Sequence, residues 1–410
     1  MIGINASAEN HDMRLLFISK AIRMFAYGFL SIVLVLYLVS IGMNDLEIGA
    51  LLALTLLGDT AVSLYLTTHA DSFGRRRTLI IGAALMLLAG VMFVLTNNFL
   101  LLLIAAIIGV ISPSGNEVGP FLSVEQSALA QLVPGQERTR LFAWYNLLGS
   151  FSTASGALVG GWAVQAMLNV GMTATASYQW VIVAYAALGI VLGLVFIMLT
   201  GRIETAVRER KGRFGLHHSK RTVAKLSALF SMDAFGGGLI VQSVMAYWFF
   251  LRFGTDPGML GTIFFAANLL SGFSALVAAP LAKRIGLIPT MVYTHLPSNI
   301  LLIMVPLMPS FELALAVLLL RFSISQMDVP TRQAYVVSVV HPDERSAASG
   351  ITGVARTMGQ SVALMLTGFL LGSASDLSWA FIIAGSIKIV YDLLVYYNFK
   401  AVRPLESGVK

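Results

Sequence analysis

Cysteine is absent from all 410 residues, so the chain offers no disulfide, no thiol ligand and no thiol nucleophile. Charge is nearly as scarce. Asp, Glu, Lys and Arg make up 11% of the sequence, against roughly 25% in a soluble domain. Recognisable reaction motifs are missing too: there is no HExxH and no GxSG, and Asp59 sits in LLGD where an intramembrane aspartyl protease needs GxGD. The six histidines are scattered, apart from His217 and His218 in a basic, solvated loop that makes a poor metal site. No nucleophile is set beside a base, so no enzyme is expected, and neither is a metal or a cofactor. Without a Gly-rich phosphate loop, ATP is not expected to drive the protein.

What fills the chain is apolar. Hydrophobic residues account for 57%, and the mean hydropathy is +0.82. Runs of about 20 residues, the length that crosses a ~30 Å hydrocarbon core, recur twelve times, near 13–41, 46–68, 78–97, 99–133, 139–168, 177–200, 224–252, 258–282, 288–307, 311–340, 346–372 and 377–399. This predicts an all-α polytopic membrane protein embedded in a lipid bilayer. No removable signal peptide is expected, and the first span is expected to direct insertion.

The net charge of +7 would suit nucleic acid, but its placement argues against that partner. Lys and Arg gather in every second loop: Arg75 to Arg77, Arg138 and Arg140, eight between Arg202 and Lys225, Lys283 and Arg284, Arg345, and then Lys400, Arg403 and Lys410. The intervening loops hold only Arg252. The positive-inside rule then puts both termini and the long central loop in the cytoplasm, in what is expected to be the plasma (inner) membrane.

The most polar stretch, residues 201–225, follows the sixth span and reads as a linker between an N-terminal bundle, 1–200, and a C-terminal bundle, 226–410. An internal repeat supports the division. Residues 119–140 align with 327–348 when Pro134 is laid over Pro342, an offset of about 208 residues. A shorter match pairs RMFAYG (23–28) with DAFGGG (233–238). Parallel halves joined by a cytoplasmic loop are a common way to build a secondary transporter.

Residues 67–79, TTHADSFGRRRTL, resemble the loop that follows span 2 in the major facilitator superfamily, Gly-x-Leu-Ala-Asp-Arg-x-Gly-Arg-Arg. Ala70, Asp71, Gly74, Arg75 and Arg76 match, while Thr67, His69 and Ser72 depart from it. The resemblance covers essentially the whole chain. It implies twelve helices in two six-helix bundles related by a pseudo-two-fold axis, a monomer, and a latch in which the loop acid Asp71 pairs with an Arg of span 11, here Arg356. In span 5, GALVGG (156–161) is similar to the family's antiporter motif, with Ala157 in place of Pro. The Arg that such antiporters carry early in span 4 is missing, and Arg321 stands at the matching place of span 10.

Charges inside spans are costly and by default functional. Here they are Lys20, Arg23, Asp59, Glu117, Glu125, Asp233, Arg321, Asp328, Arg332, Arg356, Lys388 and Asp392, most of them on spans 1, 4, 7 and 10. The resemblance implies that those four spans line a central cavity. The candidate binding residues are therefore Lys20, Arg23, Asn116, Glu117, Glu125, Asp233, Asp328 and Arg332, and the proton-coupling candidates are Glu117 and Asp233. On a continuous helix Glu117, Phe121 and Glu125 share one face, although Pro113, Gly115, Gly119 and Pro120 weaken that helix. Glu125 and Arg332 lie at similar depths, so a contact between them can close the inner gate; alternatively Arg332 pairs locally with Asp328. Arg23 and Asp233 occupy equivalent repeat positions and are expected to face each other. Lys388 and Asp392 read as a structural i, i+4 pair, and the roles of Asp59 and Arg321 stay open.

The functional expectation is alternating-access transport of a small molecule, driven by the proton gradient. The leading form is proton-coupled export of a small organic solute. The alternatives are proton-coupled uptake or facilitated diffusion of a polar or anionic solute, and a non-transporting membrane receptor.

Overall fold

The computed structural model describes residues 3–132, 138–204, 216, 218–341 and 344–400, and the side chains of these residues other than 3–10, 71, 72, 138–140 and 346. The chain folds into α1 (Gly3–Ser31), α2 (Leu34–Ser40), α3 (Asp45–Phe73), α4 (Arg75–Leu95), α5 (Phe99–Ile108), α6 (Phe121–Leu132), α7 (Arg138–Asn169) and α8 (Ala174–Ile197). The second half continues with α9 (Lys220–Gly238), α10 (Gln242–Phe253), α11 (Pro257–Ile285), α12 (Leu287–Met304), α13 (Phe311–Phe322), α14 (Asp328–Ser338), α15 (Arg345–Thr367) and α16 (Ala374–Phe399). Among the described residues, eight helical segments are long and apolar enough to cross a bilayer, and α1 with α2 forms a ninth, bent by 44°. The rest of the twelve spans are the amphipathic α15 and two broken helices, α5 with α6 and α13 with α14.

All four broken spans are the first, fourth, seventh and tenth, so the interruptions repeat across the two halves. The largest runs from Gly109 to Pro120, where the sequence supplies two prolines and two glycines at positive φ, Gly115 and Gly119. Irregular backbone at membrane depth survives only where the protein satisfies its polar groups, and it does so here. Tyr27 Oη donates to Val118 O (3.1 Å), Ser112 Oγ to Asn116 O (2.7 Å), Ser243 N to Pro113 O (3.3 Å), and Tyr185 Oη to Val110 O. Asp59 Oδ1 accepts from Gly119 N at 2.7 Å, which gives that intramembrane acid a structural task. The continuous stripe expected for Glu117, Phe121 and Glu125 is absent, because helix resumes only at Phe121 and Glu117 stands in the break.

Two tight turns also repeat. Gly74 (φ 93°) separates α3 from α4 and Gly286 (φ 92°) separates α11 from α12, each at a dihedral that side chains disfavour. The first carries the Arg-rich motif, and here the acid that meets its backbone is Glu204, which accepts from Arg75 N (2.6 Å) and Arg76 N (3.1 Å). Glu344 does the same for the start of the second half, accepting from His218 N (2.7 Å) and Ser219 N (2.9 Å). Helix α9 begins at Lys220, inside the stretch expected to be linker. The turns at Pro134 and Pro342, the side chain of Asp71, and His217 lie outside the described residues.

The halves pack along two seams, α7 on α11 and α3 on α15. At the end of the bundle away from the termini these seams are very close. A methyl group on Gly161 would stand 2.2 Å from Pro257 O, and one on Gly49 would stand 2.6 Å from Gly368 Cα. Trp162 Nε1 donates to Thr262 Oγ1 at 3.0 Å beside the first of these. Between the seams, α2 and α10 bury Leu34 to Leu38 and Gln242 to Phe249. The glycines of GALVGG thus serve helix contact: Gly156 lies against Phe25 of α1, and Gly161 against Pro257 and Gly261 of α11.

Candidate functional site

A cavity of about 540 Å³ lies between the halves, lined from both sides by the broken spans together with α7, α11, α12, α15 and α16. Its size falls within the ~300–1,000 Å³ of small-molecule sites. Two ionic clusters form its opposite walls.

On the N-terminal wall, α1 supplies the cations and the broken span 4 the acids. Arg23 is fully buried and grips Glu125 with both terminal nitrogens, Nη1 to Oε1 at 2.8 Å and Nη2 to Oε2 at 2.9 Å. Its Nε donates to Glu117 Oε1 at 2.7 Å. Lys20 Nζ donates to the other oxygen of Glu117. Ser19 Oγ (2.7 Å) and Tyr145 Oη complete the shell of Glu125, and Arg23 lies over the Phe121 ring at 4.7 Å. Two acids and two bases are thus satisfied within one half. Glu117 is the member that keeps some exposure, 16%.

On the C-terminal wall a single acid collects the cations. Asp233 of α9 accepts from Arg332 Nη1 of α14 (3.2 Å) and Arg356 Nη1 of α15 (2.9 Å) at Oδ2, and from Lys388 Nζ of α16 (2.6 Å) at Oδ1. His295 Nε2 stands 3.7 Å from the same Oδ1. Arg332 is shared with Asp328, 2.8 Å away on its own helix. Behind this hub Asp392 bonds His295 Nδ1 (2.8 Å) and Asn299 Nδ2 (2.9 Å).

These contacts revise several expected pairings. Arg23 and Asp233 do not meet across the cavity, and Glu125 does not meet Arg332; each of these four is neutralised within its own half, and for Arg332 the local alternative with Asp328 holds. Arg356 reaches Asp233 in the cavity wall, and its expected latch partner, the side chain of Asp71, lies outside the described residues. Lys388 and Asp392 are not partners, because Lys388 serves Asp233 and Asp392 serves His295. The physical reason is common to all: a buried charge left without a close partner is very costly, and helices of the same bundle supply partners nearer than the opposite wall does. Asn116 lines the cavity from the span 4 break.

Sequence reasoning passed over His295, Asn299, Tyr145 and Gln242. None of the four is a Lys, Arg, Asp or Glu, yet THLPSN (294–299) places a histidine, an asparagine and a proline inside an apolar span. Gln242 joins the halves at the closed end, with Nε2 donating to Ser31 Oγ at 2.8 Å and Oε1 accepting from Asn268 Nδ2 at 3.1 Å.

Two similar six-helix bundles, broken helices at the middle of the membrane and a charged cavity between the halves define a secondary-transporter fold. The Major Facilitator Superfamily profile matches residues 16–325 and 229–410, and the chain belongs to that superfamily. It is similar to an uncharacterized membrane protein of Saccharomyces cerevisiae, 31% identical over 98% of this chain and 97% of that one. Among solved structures it resembles a bacterial homolog of the human lysosomal transporter Spinster in an inward-facing, unoccupied conformation. That match has a TM-score of 0.74 and 14% identity over 97% of this chain and 98% of that one. It also resembles the xylose transporter of E. coli in an inward-open conformation, with a TM-score of 0.73 and 14% identity over 97% and 99% of the two chains. The protein is therefore a multi-pass membrane protein of a transporter family and not an enzyme.

Proposed function

We propose that the protein carries a small polar solute across the membrane by alternating access and couples that movement to a proton, with Asp233 as the site where the proton is exchanged. It works as a monomer, with the basic loops and both termini in the cytosol and no cofactor beyond the proton gradient. The observation that carries the reading is the hub itself: one buried acid on the cavity wall holding cations from three different helices. A solute that draws Arg332, Arg356 and Lys388 toward itself together leaves Asp233 short of positive charge in a low-dielectric wall, where a carboxylate is stable only with a proton. Solute and proton then occupy the protein together, and the two move in the same direction.

This favours symport over the export first expected, because the antiporter-like glycines of span 5 are accounted for by helix packing. The tight packing at the end away from the termini supports a conformation closed on the outside, and rocking of one half against the other would reverse it. Glu117, the other proton candidate, stands in a cluster whose two acids and two bases already balance, so it holds no excess cation for a solute to draw away.

The test is transport by purified protein in liposomes with an imposed pH gradient. The proposal expects solute accumulation that collapses when the gradient is removed by a protonophore. Accumulation that ignores the gradient would reject the coupling.

A further inference from the structure

The cations of the cavity wall are matched to acids, with a single exception. Lys20 has Glu117, Arg332 has Asp328 and Asp233, and Arg356 and Lys388 have Asp233. Arg321, the penultimate residue of α13 where span 10 breaks, has no ion pair and no side-chain hydrogen bond among the described residues; its Nε is sealed from solvent without a partner. Its side chain is half-buried, and its guanidinium rests 4.9 Å from the Phe322 ring centroid, a contact weaker than an ion pair made away from water. Asp328, seven positions along the chain, is already engaged by Arg332. On α11, which packs against α13, Ser271 Oγ is likewise buried and unpartnered. Both residues line the cavity, whose lining holds five Lys and Arg side chains against three carboxylates.

A planar guanidinium with open donors matches a carboxylate or a phosphate, each able to accept two parallel bonds. The volume of about 540 Å³ is too large for a bare ion alone, and the remaining lining includes amides and thioethers such as Asn146, Gln360 and Met245. We infer that Arg321, assisted by Ser271, is the subsite for the anionic group of the transported solute, which makes the substrate a small organic anion bearing a carboxylate or a phosphate. The inference rests on the transporter reading and sharpens it: an anion entering the cavity is the kind of solute that draws cations from Asp233.

The experiment labels the full-length purified protein with phenylglyoxal, which modifies accessible unpaired arginines, and reads Arg321 by mass spectrometry. The probes are inorganic phosphate, glycerol 3-phosphate, lactate and neutral glycerol. Labelling of Arg321 is expected, slowed by glycerol 3-phosphate if the group is a phosphate or by lactate if it is a carboxylate, and untouched by glycerol. In Arg321→Gln the thermal stabilisation by the protecting anion should weaken about tenfold or more in apparent affinity, the scale of a lost charge-assisted bond. The unliganded melting temperature should hold, because no internal pair is lost. Arg321→Lys, which keeps the charge without the fork, should fall between. An unlabelled Arg321, labelling that no anion slows, or equal anion stabilisation in Arg321→Gln would each overturn the subsite. Flux of a probe anion that is unchanged in Arg321→Gln removes the subsite and leaves the transporter. Anion protection of Arg321 in a protein that moves no probe across a liposome removes the transporter and leaves the subsite.

Discussion

The two walls of the cavity use the same residue types to opposite ends. On the N-terminal wall Glu117 and Glu125 face Lys20 and Arg23, and every charge has its counterpart. On the C-terminal wall Asp233 serves Arg356 and Lys388 and shares Arg332 with Asp328, while Arg321 has no ion pair among the described residues. A balanced cluster gains nothing from an incoming charge and behaves as a fixed wall. An overloaded acid beside a spare cation is poised to rearrange when an anion arrives. On the proposed reading, the N-terminal half holds the cavity and the C-terminal half answers the ligand.

The largest break in that comparison is Asp233→Asn. It strips Arg356 and Lys388 of their acid and leaves Arg332 only Asp328, so it should lower stability by about 3–5 kcal/mol, the scale for leaving buried charges uncompensated, and abolish solute-driven proton movement. Thermal melting and proton flux read the two effects. Glu125→Gln is the matching cut in the other wall. Arg23 keeps Glu117, so the loss should be roughly 1.5–3 kcal/mol, the worth of a hydrogen bond to a charged group, and coupling should survive at the parent ratio of protons to solute. Glu117→Gln should likewise retain coupling; its loss there would shift the proton site to the N-terminal wall.

Gly161→Ala tests the seam instead of the walls. The added methyl, 2.2 Å from Pro257 O in the present packing, should push the halves apart at the closed end, and a cysteine introduced near Thr262 should then react faster with a water-soluble maleimide than in the same background with Gly161. The smallest effect is expected at the loops. Glu204→Gln weakens the cap on α4 and should cost on the order of 0.5–2 kcal/mol, read by thermal melting, with transport kept.

Much of the architecture was legible beforehand. Apolar length gave most of the spans, and the repeat around Pro134 and Pro342 gave two halves. Pro113, Gly115, Gly119 and Pro120 announced a weakened span 4. The residues of the ionic clusters were also visible as charges at membrane depth, since each is costly there and few in number. Their pairing was not legible. Which of Lys388, Asp392 and Arg332 reaches Asp233 depends on how four helices rotate against one another, and spacing along one helix says nothing of that. Hence the i, i+4 rule failed for Lys388 with Asp392 while it held for Asp328 with Arg332. His295 and Asn299 escaped notice because neutral polar groups inside a span cost less than charges and stand out less.

The most direct trial of the account is proton movement in pyranine-loaded liposomes carrying parent or Asp233→Asn protein, on addition of the anion that protects Arg321, with counterflow of that anion measured in parallel. The account predicts proton influx with the parent and none with the variant, while counterflow persists in both and certifies a folded, exchanging carrier. Proton influx in Asp233→Asn equal to that of the parent would contradict it.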